Sequence, residues 1–91
     1  MNMVYVQNTD ELVDLDQFTL IKKKIGFFLT DSLYYKEGYG FLRRNYDFGD
    51  EICFKVDDYA AALWCVRNKV KVSGLFDHLF KDGVCKIPDE E

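Results

Sequence analysis

The chain has a single proline, Pro88, a single histidine, His78, and six glycines in 91 residues. So little proline and glycine excludes a Pro/Gly-rich linker or a low-complexity tract, and no internal repeat is visible. One histidine leaves no His pair for a metal. Cysteine is scarce too, and its count is odd: Cys53, Cys65 and Cys85 stand far apart, without the close pairs that structural zinc sites or disulfide frameworks use. No apolar run approaches the roughly 18 residues that a membrane span needs. The first residues, MNMVYVQNTDELVD, lack the basic and apolar regions of a secretory signal. Free, buried thiols in a reducing cytoplasm are therefore expected, with no membrane association.

Catalytic signatures are missing as well. Gly38-Tyr39-Gly40 lacks the third glycine and the following helix of a dinucleotide fingerprint, and there is no phosphate-binding loop or nucleophile elbow. Cys65 lies within AAALWCV, where desolvation makes a thiol inert. Asp57 and Asp58 are adjacent, so on a helix they do not face one another as an acid/base pair; capping explains them better. No catalytic residue, metal ligand or cofactor is expected, and the reading is not an enzyme.

What the chain does have is aromatic mass. Eight Phe, six Tyr and one Trp, within a hydrophobic fraction of 48%, are ample for the core of one small compact domain spanning 1–91 without a linker. The formal net charge is -4, but the sign alternates along the chain. Asp10, Glu11, Asp14 and Asp16 make the start acidic. Lys22, Lys23, Lys24, Lys36, Arg43 and Arg44 make residues 18–46 basic, and the remainder is acidic again. Such a distribution bears on partners more than on fold.

The most legible stretch runs from Phe48 to Val70. Ile52, Phe54 and Val56 alternate as in a half-buried strand, Gly49 suits a tight hairpin turn, and Asp57-Asp58 precedes the apolar run Tyr59 to Val66. This predicts an antiparallel hairpin over about 39–56, followed by a helix over 58–69 that is buried on more than one side. Met3 to Val6 reads as a short strand. Phe18, Ile21, Ile25, Phe28, Leu29 and Leu33 recur at spacings of three and four, which predicts a helix over about 15–36; a strand over Thr19 to Thr30 is the competing reading. Ser73, the stripe Leu75, Phe76, Leu79 and Phe80, and the stop at Gly83 predict a last helix over 73–82. The expected architecture is a small α+β domain, with a two- or three-stranded antiparallel sheet packed with three helices.

Two function classes follow. The first is a non-enzymatic protein-interaction module, an inhibitor or accessory protein of the kind found in phages and mobile elements, a comparison made by class alone. Its partner would meet Asp10, Glu11, Asp14, Asp16, Asp47, Asp50 and Glu51 by steric or charge complementarity, and a homodimer is allowed. The alternative is a nucleic-acid-binding regulator. It would use the basic and aromatic segment 22–46, through Lys22, Lys23, Lys24, Tyr35, Tyr39, Arg43 and Arg44. A pI of about 4.9 weighs against it, as does the adjacency of Arg43 and Arg44, which sends them to opposite faces of a strand.

Overall fold

A computed structural model describes residues 1–70 and the backbone of residues 80–81 and 84–85. The chain begins with a short antiparallel hairpin, β1 (Met3–Val6) and β2 (Glu11–Asp14), and a 3-10 turn over Leu15–Gln17. A four-stranded meander follows: β3 (Thr19–Ile25), β4 (Leu29–Lys36), β5 (Gly40–Asp47) and β6 (Asp50–Val56), each antiparallel to its neighbour. The helix α1 (Asp58–Arg67) comes next, and two short paired strands, β7 (Phe80–Lys81) and β8 (Val84–Cys85), close the described part.

Period-two alternation gives the meander two apolar faces. Leu33, Phe41, Ile21, Tyr35 and Val56 turn to one side, where α1 covers them with Ala61, Ala62, Trp64 and Cys65. Tyr34, Leu42 and Cys53 turn to the other side, where the first hairpin covers them with Val4, Val6, Val13 and Leu15. The result is three layers, with the meander between the hairpin and the helix. The hairpin is also latched to β6: Gln7 N–H donates to the Cys53 carbonyl at 2.9 Å, and the Asn8 amide bridges both backbone groups of Lys55 at 2.7 and 2.8 Å.

The three-helix α+β architecture does not form; most of the described chain is sheet, with one α-helix among the described residues. Residues 15–36, expected as a helix, fold as the 3-10 turn and the β3–β4 hairpin. A bulge between Leu20 and Lys22 inserts Ile21 as an extra residue, which breaks the period of two and lengthens the apolar spacing to three and four. Thr19 to Ile25 is strand, as in the competing reading, but the chain turns at Gly26 and returns as β4 from Leu29. Of the last helix, expected over 73–82, the described residues Phe80–Lys81 are strand instead, paired antiparallel with Val84–Cys85; residues 73–79 and 82 lie outside the described residues.

The hairpin expected at 39–56 is present as β5 and β6, with Phe48 and Gly49 forming a two-residue loop. The helix starts where the aspartates stand: the Asp57 carboxylate accepts from the Ala60 N–H at 2.8 Å, and Arg67 closes the last turn. Burial on more than one side is not what α1 shows. Ala61, Ala62, Trp64 and Cys65 are buried, whereas Tyr59 and Val66 are exposed. One face of the helix lies on the sheet, and no amphipathic helix from residues 15–33 packs against it.

Candidate functional site

Most of the acids singled out from the sequence have local structural employment. Asp14 caps the 3-10 turn, accepting from the backbone N–H groups of Asn2 and Asp16 at 3.0 Å each; these two bonds hold its carboxyl below the ordinary range. Asp16 pairs with the N-terminal amino group at 3.0 Å. Asp10 sits at positive φ in the first hairpin turn and accepts from the Tyr5 hydroxyl at 2.6 Å. Glu11 accepts from the Tyr39 hydroxyl at 2.6 Å and from Thr9, and these bonds lower its pKa. Tyr39 is pushed up to about 12, first by burial and then by that bond to Glu11.

Glu51 pairs with Arg44. Asp47 and Asp50 flank the β5–β6 turn, at the opposite end of β5 from Tyr39. The seven acids therefore do not form one surface. Asp10 and Glu11 belong to one end of the meander; Asp47 and Asp50 belong to the other.

The basic and aromatic set is divided by the sheet itself. Lys24 and Arg43 face the helix side, where Lys22 also reaches the Asn68 carbonyl at 2.8 Å and Tyr35 packs into the core beneath α1. Lys23 and Arg44 line a small pocket on the opposite face with Thr30, Ser32 and Tyr46. Tyr39 is on that opposite face too, its ring under the Lys55 ammonium at 4.5 Å. The expected split of Arg43 from Arg44 extends through the whole segment, since a strand sends every second residue across the sheet.

Two thiols are placed on opposite faces as well. Cys53 belongs to the hairpin-side core and Cys65 to the helix-side core, and burial pushes each up to about 11. The sheet between them prevents their sharing a metal. Among the described residues no group of three or more His, Cys, Asp or Glu converges, and the side chains of His78 and Cys85 lie outside them. Among the described residues, too, no helix is long and apolar enough to cross a membrane.

Part of the apolar stripe expected on a helix over 15–36 is on the surface instead, where Phe28 joins two further phenylalanines. At one end of the meander the β3–β4 and β5–β6 turns lie side by side, joined by a hydrogen bond from Phe48 N–H to the Phe28 carbonyl at 3.2 Å. Phe27 is 90% exposed, Phe48 76%, and Phe28 56%. Phe28 bridges them, edge-on to Phe27 at 4.2 Å between ring centroids and stacked on Phe48 at 5.2 Å. Ile25 and Leu29, beside the same turn, are exposed as well.

Backbone conformation makes the cluster more notable. In the β5–β6 turn both loop residues have positive φ, 51° at Phe48 and 89° at Gly49, as a type I′ turn requires. Glycine takes this conformation freely, and asparagine or aspartate tolerates it. A bulky residue there is strained. The chain nevertheless places an aromatic in that position and points it at solvent. Strain of this kind directs attention to function. The signals available in the sequence were Gly26-Phe27-Phe28 and Phe48-Gly49: aromatics beside turn glycines, which belong to loop tips and not to a helical stripe.

A comparison of the chain with protein-family models, curated proteins and solved structures finds no match.

Proposed function

We propose that this chain is a non-enzymatic protein-interaction module whose contact surface is the phenylalanine cluster at the strand tips. The observation that carries the reading is the exposure of three mutually packed phenylalanines, one of them held at positive φ. A contiguous aromatic patch left in water is unfavourable unless something covers it, and clustered aromatics are the usual anchors of protein interfaces. Two adjacent turns form a convex tip, so the complementary surface is a cleft. Asp47 and Asp50 flank Phe48, which favours a cleft rimmed by lysine or arginine. The partner is thus a protein with an apolar, basic-rimmed cleft, and this chain acts on it by occupation, as an inhibitor or accessory subunit. Buried thiols at Cys53 and Cys65 suit a reducing cytoplasm.

The nucleic-acid reading is less favoured, because the bases it needs are shared between two faces. The test is a partner identified by cross-linking and then reconstituted from purified proteins. Combined Phe27→Ser and Phe48→Ser substitution should weaken that binding at least about 30-fold, the loss expected from a single interface hot spot, with the melting temperature unchanged. Equal binding by the variant refutes the proposal. So does a sedimentation mass of two chains that falls to one in the variant, which would assign the tips to a second copy.

A further inference from the structure

The two borders of the meander are not alike. At β6 the first hairpin takes backbone groups of the border: Gln7 N–H donates to the Cys53 carbonyl at 2.9 Å, and the Asn8 amide holds both groups of Lys55. β3 stands at the other end of the strand order. Among the described residues no strand pairs with its outer side, and no backbone bond from outside the sheet reaches residues 19–25. In an antiparallel edge strand every second residue turns both its N–H and its C=O away from the sheet. Such a row is a template for one more strand.

The side chains of β3 define the kind of strand that fits. Lys22-Lys23-Lys24 fills the stretch beyond the bulge, where β3 and β4 run in unbroken register from Lys22 opposite Leu33 to Ile25 opposite Thr30. Alternation puts Lys23 on the hairpin-side face and Lys24 on the helix-side face, so cations flank the border on both faces. Lys22 reaches the Asn68 carbonyl at 2.8 Å, whereas Lys23 and Lys24 make no ion pair among the described residues. Lysines on an edge repel a second copy of the same edge. That role leaves unexplained the apolar residues on either side of them, Leu20 at 47% exposure and Ile25 at 75%. A border with lysines at its centre and exposed apolar residues beside them suits an extended segment of opposite charge, acidic at its centre and apolar at its flanks.

We infer that β3 is a docking edge for an extended acidic segment of a partner protein, which joins the meander as a further strand. Backbone hydrogen bonds hold the segment, and Lys23 and Lys24 select its charge. The contact runs along a strand, apart from the phenylalanine tips, and does not depend on the reading made for them.

The probe is acetyl-Thr-Val-Glu-Asp-Glu-Val-Thr-amide, as long as β3 and the same in both directions, so that parallel and antiparallel addition present equal side chains. It carries a fluorophore and is titrated into the full chain at low salt, with anisotropy as the readout. Saturable binding is expected, with slowed amide exchange at alternate residues of β3. N-methylation of the peptide's nitrogens keeps its charge but removes its backbone donors, and should weaken binding at least about tenfold. Lys23→Glu with Lys24→Glu alters two exposed side chains. This variant should bind the acidic peptide about tenfold more weakly, and bind a counterpart with lysines in place of the acids better than the parent does. The Phe27→Ser, Phe48→Ser variant should bind the acidic peptide as the parent does. Equal affinity for the N-methylated peptide overturns the inference, since charge alone would then account for binding. So do tighter binding of an oligothymidylate of the same charge, unaltered binding in the charge-reversed variant, loss of binding in the phenylalanine variant, and no binding at all. A sedimentation mass of two chains that the lysine substitutions reduce to one also overturns it, by assigning the edge to a second copy.

Discussion

At the scale of single residues, Asp31 shows how a buried charge is made tolerable. It lies in a strand beneath a helix, only 9% exposed, and both oxygens are occupied by Arg43 while Trp64 adds a third donor. A pair of this kind adds little net stability over apolar residues of the same shape, but removing one partner strands the other. Arg43→Ala should therefore destabilise the fold by about 3 kcal/mol, and the double replacement Asp31→Leu with Arg43→Leu should restore most of it. Denaturant midpoints measure both, and an Arg43→Ala protein as stable as the parent would contradict the account. The two described thiols give a second expectation. With Cys53 and Cys65 both pushed up to about 11, they should resist alkylation at neutral pH until the chain unfolds. Peptide mapping after a short iodoacetamide pulse reads this directly.

Among the elements, the first hairpin is the one most dependent on conditions. Its anchors include the Glu11–Tyr39 bond, with Glu11 lowered from 4.5, and the Asp14 cap, with Asp14 lowered from 3.8. Folded values below the unfolded ones mean that each carboxylate stabilises above its ordinary value and loses that contribution as pH falls through the folded one. Tyr39 has the opposite sign: raised to about 12 from 10.0, it stabilises fully below pH 10 and loses that effect as pH rises through its folded value. Melting temperature should thus fall at both extremes. Glu11→Gln should flatten the acid limb, and Tyr39→Phe should flatten the alkaline one.

The elements also differ in how clearly the chain announces them. The β5–β6 hairpin and α1 were readable because their signals are local: alternation of Ile52, Phe54 and Val56, Gly49 in the turn, Asp57 as a cap. The β3–β4 hairpin was not, because the six residues of its apparent helical stripe serve three different ends. Phe18 packs on the hairpin side and Ile21 and Leu33 on the helix side, while Ile25, Phe28 and Leu29 are exposed. Periodicity presumes that apolar means buried. Where apolar residues are placed on the surface, that premise fails, and the site is hidden by the same residues that compose it. The charged candidates were easier to name than to group, since a sheet sorts neighbours onto opposite faces.

On the scale of the whole molecule, one sheet carries two thin cores, each closed among the described residues by one small cover, the helix on one face and the first hairpin on the other. Removing residues 1–17 would uncover Tyr34, Leu42 and Cys53 and should leave no cooperatively folded remnant, which a broad, sloping thermal transition would register. The meander has one further property, at its outer border. β3 stands at the end of the sheet order, with no strand beside it among the described residues, and its run is Thr-Leu-Ile-Lys-Lys-Lys-Ile. An open border of that length is a template on which copies of a chain can stack into fibrils, and three successive lysines place positive charge on both faces of it. Repulsion between identical borders opposes such stacking. Acetylating those lysines, or raising the salt until their charge is screened, should turn a clear solution into one that binds thioflavin.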